Sequence, residues 1–145
     1  MSKSTKAITN ALQSIALSSL PKLGAALDEG TFQGVITTND GTHAAVILLN
    51  TKPSKRLLWE DAKAWAESIG GQLPSRPVSA LLYANAKPLF QRTWYWTSDE
   101  LQTDTGDEDD ASYAWRCNFD LGFQFSYRKS AEGAAVAVRL IPLSN

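Results

Sequence analysis

Reactive side chains are scarce in this 145-residue chain, which holds one cysteine, Cys117, and one histidine, His43. A single thiol excludes an intramolecular disulfide and fits a reducing compartment better than a secreted design. One imidazole and one thiol cannot make a His/Cys zinc set. A cysteine-pair oxidase is excluded on the same ground. No Gly-x-Ser-x-Gly elbow or GxxxxGK[ST] phosphate loop is present. Charge of one sign is also lacking. Lys and Arg total 14 against 15 Asp and Glu, so there is no basic surplus of the kind nucleic acid selects. Long apolar runs are missing too. Nothing approaches the ~20 residues that cross a bilayer, and Ser, Asn and Gln interrupt residues 7–20, where a signal peptide would be apolar. These absences lead us to expect no cofactor, no metal, no membrane partner and no catalysis.

What is present suits one folded domain. Hydrophobic residues make up 43% and charged residues 20%, which excludes both disorder and a membrane-embedded chain. Residues 1–29 read as a leader. Ile8, Leu12, Ile15 and Ala16 have helical spacing, and its narrow apolar face would allow homo-oligomerisation. Residues 30–145 read as the main domain. Residues 32–37 and 44–49 are strand-like and flank Asn39-Asp40-Gly41, a hairpin signal. His43, just after that turn, reads as an ordinary exposed residue. Trp59, Ala62, Ala66 and Ile69 share one face of a helix that ends at Gly70-Gly71. A second helix is expected from about Pro77, capped by Ser75 and closed by Pro88.

Ten of the fourteen aromatic residues lie between Phe90 and Tyr127, which concentrates any recognition surface in the C-terminal half. Tyr113, Trp115, Cys117 and Phe119 alternate with Ala114, Arg116, Asn118 and Asp120, the period of a half-buried strand. The expectation is that the first set points inward. Phe123, Phe125 and Tyr127 alternate with Gln124, Ser126 and Arg128, with a hairpin turn at Leu121-Gly122. Arg116, Asn118, Gln124, Ser126 and Arg128 would then form an outward face framed by Tyr95, Tyr113 and Tyr127. Two guanidinium groups and several amides suit a polar or anionic ligand. Val136, Val138 and Leu140 make a last strand with Arg139 opposite, expected to pair with an internal carboxylate or carbonyl. Residues 99–110 carry seven acids and no base, as in a solvated loop. Asp104, Asp107, Asp109 and Asp110 are candidate calcium ligands, but no EF-hand pattern or sugar-binding Glu-Pro-Asn triplet accompanies them. The element order is that of an α+β protein.

Three segments together resemble one family: Gly71-Gln72-Leu73-Pro74-Ser75-Arg76, Trp94-Tyr95-Trp96-Thr97-Ser98-Asp99-Glu100, and Tyr113-Ala114-Trp115 through Gly122 to Val138-Arg139. Their order is similar to that of the DUF1566 (Lcl C-terminal-like) domains. Leu20-Pro21-Lys22-Leu23-Gly24 looks like the phage-encoded branch. The resemblance covers residues 20–141. It implies a C-type-lectin-like fold, related to formylglycine-generating enzymes, with two helices, a small twisted antiparallel sheet and long loops. It carries no settled activity, and a fold alone does not specify one. Three roles follow as expectations. The first is a non-enzymatic phage or prophage binding protein that engages a protein or small polar ligand through the aromatic half. The second is a virion or tail-fibre component. The third is an anti-defence factor in the host cytoplasm, sequestering a nucleotide signal or blocking a host protein.

Overall fold

The run Ala44 to Leu49 has no polar alternation, which marks a strand covered on both faces. In the computed structural model, which describes residues 12–101 and 111–144, this run is the inner strand β3 (His43–Leu49) of an antiparallel sheet. The other strands are β1 (Ala26–Leu27), β2 (Gly30–Thr37) and β7 (Val138–Pro142), in the order β1-β2-β3-β7. Ala45, Ile47 and Leu49 pack with Trp59, Ala62 and Ala66 of helix α1 (Trp59–Ser68). Val46 and Leu48 pack on the other side with Val78, Leu82 and Ala86 of helix α2 (Arg76–Ala86). Each fully buried valine, leucine or isoleucine among them contributes ~1.5–3 kcal/mol, and each alanine methyl less, about 0.8 kcal/mol.

The β2–β3 turn is built as its residues dictate. Gly41 takes the left-handed φ of +86° that L-residues resist. The Asp40 carboxylate accepts hydrogen bonds from the Thr38 hydroxyl and from the Thr42 hydroxyl and N–H. The two hydroxyls and then the N–H hold its pKa down at about 2. His43 is exposed, with Nδ1 3.0 Å from the Thr37 hydroxyl. Helix α1 carries Glu60 and Asp61 in its first turn, the end where negative charge is favourable. Helix α2 starts as expected, with the Ser75 hydroxyl accepting from the Val78 N–H at 3.3 Å.

The aromatic half forms a second antiparallel sheet of β4 (Trp94–Glu100), β5 (Tyr113–Asn118) and β6 (Gln124–Arg128), in that order. Two indoles fasten it to the first half. The Trp59 N–H donates to the Thr97 carbonyl at 2.8 Å, and the Trp96 N–H to the Leu57 carbonyl at 3.0 Å. Both rings are buried, so these bonds also satisfy polar groups that would otherwise be orphaned. The protein is thus mixed α+β, with two helices and two antiparallel sheets.

Several expectations need correction. The N-terminal helix lies partly outside the described residues. Within them, residues 12–16 are not helical: Ile15 forms a parallel bridge with Leu143 and is buried in the α1-side core. Its apolar spacing serves core packing, so helical period alone misread it. The last strand, expected over Val136, Val138 and Leu140, begins at Val138 and joins the N-terminal hairpin, since β7 pairs with β3. Arg139 does find a carboxylate, pairing with Asp28, and also donates to the Leu12 carbonyl at 3.1 Å. Four candidate calcium ligands, Asp104, Asp107, Asp109 and Asp110, lie outside the described residues.

Candidate functional site

A cleft forms where β4 passes the start of α2. Pairing between β4 and β5 slips between Trp96 and Glu100. Thr97, fully buried, occupies the irregularity. Its hydroxyl donates to the Trp115 carbonyl at 2.9 Å and accepts from the Asp99 N–H at 3.2 Å. So placed, the Asp99 carboxylate accepts from the Arg76 N–H at 2.7 Å, and the Ser98 N–H donates to the Pro74 carbonyl at 2.9 Å. Ser75 and Asp99 together satisfy exposed N–H groups at the helix start, where an anion is also favoured by the dipole.

The Arg76 side chain then crosses the sheet. Its guanidinium lies 3.6 Å from the centre of the Trp115 ring. Its Nε donates to Gln124 Oε1 at 2.9 Å, and Gln124 Nε2 returns a bond to the Arg76 carbonyl, also at 2.9 Å. The Gln124 amide therefore cannot turn without breaking two bonds, while the Arg76 side chain is held by its Nε bond and by the stack on Trp115. The result is an open cleft of about 740 Å³ lined by Arg76, Asp99, Glu100, Trp115 and Gln124, with Pro77, Ala80 and Leu101. Gly122 closes one end at φ +92°; a Cβ there would meet the Tyr83 ring at 2.6 Å.

Both carboxylates at the rim are engaged. Asp99 holds the helix start, and Glu100 pairs with Lys129. Among the described residues no three His, Cys, Asp or Glu side chains are grouped to hold a metal ion. What the cleft presents is a flat cation–aromatic stack with a fixed amide beside it. That arrangement can stack on a planar group and hydrogen-bond a carboxylate or amide.

The structure divides the expected ligand face. Antiparallel partners point to the same side of a sheet. Cys117 pairs with Gln124, Trp115 with Ser126 and Tyr113 with Arg128, which puts these six on the cleft side. Trp94 pairs with Asn118, Trp96 with Arg116, Arg116 with Phe125 and Ala114 with Tyr127, which puts those on the opposite side. Gln124, Ser126, Arg128 and Tyr113 therefore do not share a face with Arg116, Asn118 and Tyr127. Only Gln124 of the expected set lines the cleft. The inward phase holds only in part: Cys117 and Phe119 are buried as expected, but so are Ala114 and Arg116, while Tyr113 and Trp115 are half-buried. Alternation failed because both sides of β5 are covered: of the expected outward set Arg116 is buried, Asn118, Gln124 and Ser126 are half-buried, and Arg128 alone is exposed.

The remaining members have structural work. Tyr95 is buried in the α2-side core, and its hydroxyl accepts from the Gln91 N–H at 3.0 Å. Asn118 Oδ1 accepts from the N–H groups of Asp120 and Leu121, at 2.7 and 2.9 Å, and shapes the β5–β6 turn. That turn spans residues 119–123, closed by the Asn118 N–H to the Phe123 carbonyl, and is longer than the expected two residues. The Arg116 guanidinium is buried among the rings of Tyr127, Trp96 and Trp94, at 4.9, 5.0 and 5.7 Å, with Nε unpartnered. Burial pushes its pKa down, the Tyr127 hydroxyl opposes this, and the nearby Arg56 charge adds to it. Arg128 is exposed, 5.6 Å from the Tyr127 ring.

Arg76, Trp115 and Asp99 were not expected as cleft residues. The available signal was local: Ser75-Arg76-Pro77 opens a helix, and Thr97-Ser98-Asp99 supplies an acid that could reach such an opening. The segments carrying the family resemblance do meet here, since Arg76, Asp99 and Trp115 come from the three of them. No protein-family model matches the chain, and no curated protein is significantly similar to it.

Proposed function

We propose that this protein is a non-enzymatic binding module of C-type-lectin-like architecture, and that the cleft between α2 and the three-stranded sheet holds a polar or anionic group of a small ligand or partner protein. The observation that carries this reading is the Arg76–Trp115–Gln124 constellation: a guanidinium stacked at 3.6 Å on an indole and hydrogen-bonded through Nε to an amide that is itself tied to the Arg76 backbone carbonyl. A donor group held in advance loses little entropy on binding. Arg76 suits the task because its planar fork matches carboxylate geometry, which a lysine cannot do. The likeness of Leu20-Pro21-Lys22-Leu23-Gly24 to a phage-encoded branch supports a phage or prophage setting.

The test is a screen of carboxylates, sugars and short peptides by backbone-amide and indole NMR. Expected are saturable shifts at Arg76, Gln124 and the Trp115 indole, weakened at least ~10-fold in a folded Arg76→Lys variant. Chemical turnover of a panel member that is lost in Arg76→Lys would replace binding with catalysis. Undiminished binding in the variant would remove the cleft from the proposal.

A further inference from the structure

A second cleft, of about 230 Å³, lies where residues 52–56 cross the lead-in to β4. Its polar lining is Lys52, Ser54, Lys55, Arg56, Gln91 and Tyr95, with no acidic residue among them. The sequence explains the one-sided charge. Residues 52–56 and 91–95 come from stretches without an acid, between Asp40 and Glu60 and between Glu67 and Asp99; the third contributor, Ala134-Ala135, follows Glu132, which does not line the cleft. In a protein of formal charge −1, three cations around one small cavity are a local reversal of sign. None of the three makes an ion pair among the described residues. Lys52 donates to the Leu89 carbonyl at 3.5 Å and Arg56 to the Thr93 hydroxyl at 2.9 Å, both neutral acceptors.

Like charges held together raise the free energy of the empty site, and an anion relieves that repulsion. Arg116 lies outside this lining but close enough to Arg56 for their charges to repel; it is 6% exposed, has an orphaned Nε, and has no carboxylate within ion-pairing distance among the described residues. The cavity lies below the ~300–1,000 Å³ of typical ligand pockets, which limits the occupant to a small group. Lysine charges, a guanidinium fork, a serine hydroxyl and a glutamine amide together match a tetrahedral oxyanion. We propose that this cleft binds a phosphate group, either free or as the phosphomonoester of a small molecule.

The test is NMR titration of the full chain with inorganic phosphate and with glycerol 3-phosphate, against sodium chloride at matched ionic strength. Expected are saturable shifts at the amides of Ser54, Lys55, Arg56 and Gln91 with phosphate and not with chloride. A Lys52→Gln/Lys55→Gln variant should bind roughly 10- to 30-fold more weakly, the contribution of two exposed unit charges near an anion in water. Lys22→Gln/Lys63→Gln, which removes the same charge elsewhere, should bind as wild type. Tighter binding of glycerol 3-phosphate identifies an ester as the occupant, and equal or tighter binding of inorganic phosphate identifies the free ion. Unsaturable shifts, shifts shared with chloride, or equal losses in both double variants overturn the proposal. Arg76→Lys should leave phosphate binding unchanged, which separates this site from the Trp115 cleft.

Discussion

Replacing Thr97 by valine exchanges one buried hydroxyl for a methyl of nearly the same size. The wild-type hydroxyl serves two backbone groups, the Trp115 carbonyl at 2.9 Å and the Asp99 N–H at 3.2 Å. Valine removes both bonds. It also leaves the Trp115 carbonyl with one acceptor site unused and the Asp99 N–H without its partner. A net hydrogen bond is worth ~0.5–1.5 kcal/mol, and a buried group left unsatisfied costs ~1–3 kcal/mol. The longer contact and the half-buried position of Asp99 favour the lower end, so the expected loss is about 2–3 kcal/mol. Unfolding entropy of roughly 2.1 cal/mol/K per residue, taken over 145 residues, converts this to a fall in Tm of about 6–10 °C. Thr97→Ser keeps the hydroxyl and removes the methyl, and should cost about 1 kcal/mol. The assay is chemical and thermal denaturation of all three proteins, with NMR of the Arg76 amide to report the Asp99 contact. If valine proves neutral while serine destabilises, methyl packing and not hydrogen bonding holds the β4 irregularity, and the account of how Asp99 reaches α2 fails.

Gly122→Ala should lose ~1–2 kcal/mol in urea denaturation, since alanine resists φ +92° and its Cβ would press on Tyr83; a neutral result would show that the turn moves freely. The Asp40 carboxylate, held at about 2 mainly by the Thr38 and Thr42 hydroxyls, stabilises the folded turn fully above its ordinary pKa near 4, and that contribution disappears as pH falls through about 2. The Tm gap between wild type and Asp40→Asn should therefore be widest above pH 4 and close toward pH 2; a gap independent of pH would refute the role of ionisation. Burial pushes the Cys117 thiol up, against a smaller opposing effect of the Gln124 hydrogen bond. Native protein at pH 8 should thus react with a disulfide reagent at least ~100-fold more slowly than urea-unfolded protein, and equal rates would contradict its burial.

Local chemistry was enough to read much of this molecule. Ser75 and Pro77 mark a helix start, Asn39-Asp40-Gly41 marks a turn, and the unbroken run Ala44 to Leu49 marks a strand with two covered faces. Each signal is contained within a few consecutive residues, where rotamer, cap and turn preferences act directly. Face and register were not legible in the same way. Alternation says that Arg116 and Asn118 share a side of β5, but not which side α2 covers, nor that Gln124 stands opposite Cys117. Those depend on pairing between distant segments and on cover from α2 on one side and, on the other, from Leu57 and from Gly133, which lies against the Trp96 ring. The Arg76–Trp115 stack, built from residues 39 positions apart, exists only once the slip at Thr97 carries Asp99 to the helix start. The residue types could be read in order along the chain; their convergence in one cleft required the packed fold.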